Sequence, residues 1–169
     1  HFASRNAMDI DGLGPAVIQQ LVDSGLVRTA ADLYSLRPEQ IAELDRMGQK
    51  SARNAVEAIA RSREDDLWRL IFALGIRQVG EKAAKVLAAR FGSMDALSTA
   101  TEEELTAIDD VGPITAKYIR QWMDSPQSQD LLARLKAAGL NMTCKEEMVD
   151  RRFAGMTFVL TGALEKFTR

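Results

Sequence analysis

Four nine-residue stretches of the chain place apolar and polar side chains in the same order: IDGLGPAVI from Ile10, LDRMGQKSA from Leu44, IRQVGEKAA from Ile76 and IDDVGPITA from Ile108. Each has glycine in fifth place (Gly14, Gly48, Gly80, Gly112), an aliphatic residue four places earlier and an apolar residue directly before it (Leu13, Met47, Val79, Val111). The glycines stand 34, 32 and 32 residues apart, so the chain is read as a repeat before anything else. After each glycine, apolar residues fall at offsets of four, seven and eight: Ile18, Leu21, Val22; Ala52, Ala55, Val56; Ala84, Leu87, Ala88; and Ala116, Ile119, with Arg120 as the exception. Those offsets share one face of an α-helix. The pattern predicts, four times over, the end of one helix, a tight turn closing on glycine, and a second, amphipathic helix. Pro15 and Pro113 directly follow their glycines, where a helix tolerates proline because that N–H has no intrahelical partner. Ala52, Ala84 and Ala116 predict a close approach of two backbones.

A longer period is also present, since DLYSLRPEQIAEL from Asp32 aligns with ALSTATEEELTAI from Ala96 at an offset of 64 residues. Repeats one and two thus form one double unit (1–62), and repeats three and four another (63–140). Between them RSREDD, residues 61–66, reads equally well as a joint or as a solvated helix end. The helical period stops near Asn141, so 141–152 is read as a linker. Met156–Leu160, bounded by Gly155 and Gly162, suits a buried strand, and 153–169 is read as the start of a third, α/β domain that is cut short, because one strand cannot fold alone. The expected fold class is all-α up to that point, and the chain, which opens on His1, is expected to be a piece of a longer protein.

Composition narrows the chemistry. With one cysteine (Cys144) and one histidine (His1) among 169 residues, the chain holds no four-ligand zinc set, no Cys/His catalytic pair and no internal disulfide. No apolar run approaches the roughly 20 residues of a membrane span, the longest being Leu70–Leu74, and the first ten residues lack a signal-peptide core; a cytoplasmic setting is the default. The 22 basic and 24 acidic residues leave a net charge of −2, divided as −1, −2 and +1 among 1–62, 63–140 and 141–169. A uniformly basic nucleic-acid binder is excluded, so any phosphate binding must be local.

The glycine turns offer such a locality. A turn handing over to a helix aims several backbone N–H groups at one spot, the helix dipole favours an anion there, and glycine permits close approach or a positive φ. Lys50 and Arg53 follow Gly48, Lys82 and Lys85 follow Gly80, and Lys117 follows Gly112; repeat one has Gly12 and Gly14 but no nearby cation. A glycine here is also an ordinary cap, and surface lysines are commonly only solvated. Four copies in register tip the balance toward phosphate binding by at least two of them. Repeat four, with Asp109 and Asp110 in its turn and Glu102–Glu104 upstream, is expected to pack against repeat three instead. Trp68, Phe72, Trp122 and Tyr118 could stack on bases, but Trp68 and Phe72 lie on an apolar helix face with Leu67 and Ile71 and are read as core. Contact with phosphates rather than bases carries little sequence preference.

The turns GLG, RMG, QVG and DVG with their following helices resemble helix-hairpin-helix motifs, here two tandem double-hairpin units. HFASRNAMDIDGLG from His1, GIRQVGEKAA from Gly75 and FAGMTFVLTGALEKFTR from Phe153 resemble bacterial NAD-dependent DNA ligases over essentially the whole chain. The resemblance implies a four-cysteine zinc module before this segment and a BRCT domain beginning at its end. It also implies a parent enzyme that uses NAD and a divalent metal such as Mg to adenylate a lysine, transfer AMP to a 5′-phosphate and close a nick. That lysine belongs to a Lys-x-Asp-Gly motif, which this chain lacks, so no catalytic residue is carried over and no cofactor is expected in this segment. The role implied here is to grip nicked double-stranded DNA, as a monomer beside the catalytic domain of the same parent chain, through Gly12, Gly14, Gly48, Gly80 and Gly112 with Lys50, Arg53, Lys82, Lys85 and Lys117. Two other readings stand beside it: a DNA-structure-binding module of an excision-repair or branch-processing complex, and a helical protein-interaction module.

Overall fold

In the computed structural model, residues 1–144 are described. The expected third-domain start at 153–169 and most of the expected linker lie outside these residues. The described chain is helices and turns, with one isolated antiparallel bridge between Ser93 and Thr143. No helix in it is long and apolar enough to cross a membrane.

Each repeat glycine immediately precedes a helix: α1 (Pro15–Asp23) after Gly14, α3 (Gln49–Ser62) after Gly48, α5 (Glu81–Phe91) after Gly80 and α8 (Pro113–Asp124) after Gly112. Hairpin two pairs α2 (Pro38–Ala42) with α3, hairpin three pairs α4 (Leu67–Ala73) with α5, and hairpin four pairs α7 (Glu102–Thr106) with α8. Two further elements are the 3₁₀ turn Ala30–Ser35 in the first unit and α6 (Met94–Ser98) in the second. The periodicity is borne out in the packing, because Ala52, Ala55, Ala84, Leu87, Ala116 and Ile119 are all fully buried. Val22 departs from the expected face: it is 49% exposed, at the last turn of a helix only nine residues long.

Hairpin one departs from the pattern more deeply, since no helix precedes its turn. Residues 1–9 fold as successive turns, with Ala7 N–H donating to the Ser4 carbonyl (3.0 Å), Met8 N–H to Phe2 (3.1 Å) and Ile10 N–H to Ala3 (3.0 Å). This strap buries Ala3, Ala7, Met8 and Ile10 and lies against the second unit. Arg69 on α4 donates to the carbonyls of Ala7 (2.7 Å) and Arg5 (3.3 Å), and His1 Nε2 donates to the Phe72 carbonyl (2.8 Å) while its ring meets Phe72 edge-on. Periodicity could not see this, because the strap's partners are on α4 and not one turn away.

The segment 61–66 proves to be a helix end and a turn. Ser62 closes α3, buried, its hydroxyl donating to the Ile59 carbonyl. Asp66 caps α4 by accepting from Leu67 N–H at 2.8 Å. Arg63 between them joins the two halves: Nε donates to the Ala138 carbonyl (2.8 Å), Nη2 reaches the Tyr34 carbonyl (3.4 Å), and its guanidinium lies over the Tyr34 ring. A final helix, α9 (Pro126–Ala137), which the repeat does not contain, packs on α8 and on the 3₁₀ turn of the first unit. Residues 141–144, at the start of the expected linker, return to the second unit: Asn141 N–H donates to Arg63, Met94 N–H to Met142, and Cys144 N–H to Gly92. Gly92 makes that return possible, ending α5 at φ 77°, a left-handed cap that favours glycine. The two units therefore share one continuous apolar core.

Candidate nucleic-acid interface

The helix caps differ in kind, and two of them, Arg37 before α2 and Ser125 before α9, are neither glycine nor bonded through their side chains to the helix start. Asp66, Ser93 and Thr101 cap α4, α6 and α7 with their own side chains, accepting from Leu67, Ala96 and Glu104 N–H respectively. The four repeat glycines cap α1, α3, α5 and α8 with no side-chain bond. The first N–H groups of a helix have no intrahelical acceptor, so at these four places they are left for something else. Serine, threonine or aspartate would cap as well as glycine or slightly better. Backbone strain does not demand glycine either: Gly14, Gly48, Gly80 and Gly112 all lie in the extended region, at φ −74°, −107°, −90° and −84°. Of the two properties that glycine permits, positive φ is thus not used at these positions. In the first three repeats a left-handed residue sits two places earlier, in Gly12 (φ 90°), Arg46 (φ 65°) and Gln78 (φ 70°); Asp110 of the fourth is not left-handed.

Nor is the space filled. A Cβ built at Gly14, Gly48, Gly80 or Gly112 meets no heavy atom within 4 Å, whereas one at Gly12 would lie 3.3 Å from the Ala55 Cβ. Gly12 is thus pressed against α3, and its lack of a Cβ is explained by packing and by its positive φ. The other four leave an open approach to the helix start.

The cations fall into three groups. Lys50 and Arg53, after Gly48, are exposed, and among the described residues neither has a carboxylate within 4.0 Å. Arg53 and Gly48 line a groove of about 640 Å³ with Glu39 and Glu43 of α2. Lys82 and Lys85, after Gly80, are already engaged: Lys82 with Asp110 of hairpin four at 3.6 Å, Lys85 with Glu81 at 3.1 Å and with the face of Trp68 at 4.6 Å. Exposed pairs of this kind contribute about 0.2–1 kcal/mol each, which a phosphate can outcompete. Lys117, after Gly112, is exposed and among the described residues has no carboxylate within 4.0 Å, but it shares its hairpin with Asp109 and Asp110.

Trp68 and Phe72 are half-buried against the core, as the helix face predicts, and so is Trp122. Trp68 also carries Arg69 and Lys85 on its ring, and Arg77 lies 5.4 Å from the Tyr118 ring centre. Repeat spacing missed Arg46 and Arg77, exposed cations inside the turns of hairpins two and three, because they precede the glycines.

Shifted acidities lie elsewhere. The Asp32 carboxylate is held below its ordinary value by Arg28 N–H, despite some burial, with Thr29 N–H and Arg134 (3.6 Å, from α9) adding to it. Burial pushes the Tyr34 hydroxyl up to about 12; because Ser62 donates to Ile59, the tyrosine is the donor in its 2.7 Å bond to Ser62. Both groups sit where the two units meet, and their shifts are structural. Among the described residues no group of three or more His, Cys, Asp or Glu side chains could hold a metal ion.

Comparison with known proteins agrees with this geometry. Residues 4–61 match the family described as a SAM-like helix-hairpin-helix tandem, and residues 69–132 match the helix-hairpin-helix motif family. The whole chain is 55% identical over 169 residues to a DNA ligase of Trichlorobacter lovleyi, 54% over 173 residues to one of Marinobacter nauticus, and 51% over 169 residues to one of Carboxydothermus hydrogenoformans. It spans about a quarter of the length of these relatives. Two tandem hairpin units on one core, matched from end to end by such relatives, make this chain a helix-hairpin-helix region of the bacterial DNA ligase family.

Proposed function

We propose that this segment grips nicked duplex DNA through backbone phosphates, without reading sequence, while the catalytic domain of a longer NAD-dependent ligase in the bacterial cytoplasm seals the nick. The observation that carries the reading is the contrast of caps. The chain uses aspartate, serine and threonine to close α4, α6 and α7, yet leaves bare, unhindered glycine at the start of every second helix of a hairpin. Neither φ nor packing calls for those glycines, whereas close approach of a DNA backbone does, and at hairpins two and three the approaching group is an anion met by the helix N–H groups. Lys50 and Arg53 beside Gly48, and Lys82 and Lys85 beside Gly80, supply the charge. NAD, magnesium and the structural zinc belong to parts of that protein outside the described residues, and the segment acts as a monomer.

The test is binding of this chain to a nicked duplex as salt is varied. With about five phosphate contacts the affinity falls several hundred-fold between about 50 and 200 mM salt. Absence of binding at low salt, or binding indifferent to salt, would overturn the phosphate grip.

A further inference from the structure

We infer that hairpin four contacts the sugar edge of the duplex and not a phosphate, and that Ile114 is the contacting residue, which makes the segment prefer deoxyribose to ribose. The inference rests on the duplex-gripping reading and concerns how one hairpin takes part in it. Ile114 is 67% exposed, the more exposed of the two large apolar side chains found at the surface among the described residues. It stands two residues after Gly112, the place that Lys50 holds after Gly48 and Lys82 after Gly80. Hairpin four thus presents a branched alkyl group where its neighbours present an ammonium.

Its other features turn it away from an anion. Asp109 and Asp110 lie in the turn, and Asp110 faces Lys82 of hairpin three at 3.6 Å. That contact ties the turn of hairpin four to the first turn of α5, and on this inference the sugars that follow a phosphate at Lys82 lie against Ile114. Between successive phosphates the backbone offers deoxyribose, whose carbon face suits an isoleucine. A ribose offers a 2′-hydroxyl at that edge, by which proteins distinguish RNA from DNA, and pressing it against an alkyl group strips its water without replacing the hydrogen bond.

The experiment compares the chain with its Ile114→Ala variant on a nicked DNA duplex and on the same duplex with one strand replaced by RNA, across a salt series. Far-UV circular dichroism controls for folding, which an exposed side chain should not alter. The expected result is about a fivefold loss of affinity for DNA, an unchanged slope against salt because no phosphate contact is lost, and a smaller preference for DNA over the hybrid. Unchanged DNA affinity, equal weakening on both duplexes, or a slope reduced by about one would overturn it. If the unaltered chain binds no nicked duplex even at low salt, the gripping reading falls and takes this inference with it; if that chain binds with its full salt dependence and Ile114→Ala matches it, this inference alone falls.

Discussion

Hairpins two and four share the backbone of their caps, though only hairpin two has a left-handed residue in its turn, Arg46 at φ 65°. Gly48 sits at φ −107°, ψ −177° and Gly112 at φ −84°, ψ 176°. Both lack a side-chain cap, both face open space, and four residues later each has a fully buried alanine, Ala52 and Ala116. The positions beside their caps differ: Lys50 and Arg53, free of carboxylate partners among the described residues, follow Gly48, whereas Asp109 and Asp110 precede Gly112 and the exposed Ile114 follows it. The apolar positions build the hairpin, and they are common to both. What the hairpin can hold is decided by a few exposed offsets that the core does not constrain, so four copies of one frame need not be four copies of one site. Hairpin three stands between them, its two lysines present but each already facing a carboxylate.

The comparison can be broken most forcefully at the glycines. Gly80→Glu sets a carboxylate where a phosphate would come, and nicked-duplex affinity should fall about a hundredfold at low salt with helicity unchanged. Gly112→Glu, in a turn already acidic, should cost about tenfold less; equal losses would show that hairpin four holds a phosphate after all. A smaller effect is expected from removing charge. Lys50→Ala with Arg53→Ala should weaken binding about tenfold to thirtyfold and lower the salt slope by about two, while Lys117→Ala leaves the slope unchanged. The smallest effect is a gain. Asp110→Asn frees Lys82 from its partner and removes a repelling charge, and titration of the duplex should show binding about threefold tighter. Weaker binding by that variant would mean that Asp110 positions Lys82 rather than competing for it.

Much of the hairpin frame was legible in the sequence because it is written at short range. A glycine, an apolar residue before it, and alanines or leucines four and seven places after it are spacings set by one helical turn. Ala84 and Leu87 or Ala116 and Ile119 are buried as that spacing requires. The reason for the glycines was less legible. Glycine permits both close approach and a positive φ, and the structure puts the positive φ at Gly12, Arg46 and Gln78, leaving open approach as the property of the four cap glycines. Arg46 and Arg77 precede their glycines and so lie outside the offsets that the other cations share. The partners of Lys82 and Lys85 could not be read either, because Asp110 belongs to the next repeat and Trp68 to the preceding helix.

The sequence by itself determined the repeat, its four helix starts and the buried face of each second helix, since these follow from offsets of a few residues along one chain. Only the tertiary structure decided that the units share a core. It showed that turns and not a helix precede hairpin one, that Arg63 and Arg69 bind the halves together, and that residues 141–144 close back onto α5 and α6. Those contacts join residues far apart along the chain through backbone carbonyls, which every residue possesses. No pattern of side chains announces which carbonyl an arginine will meet.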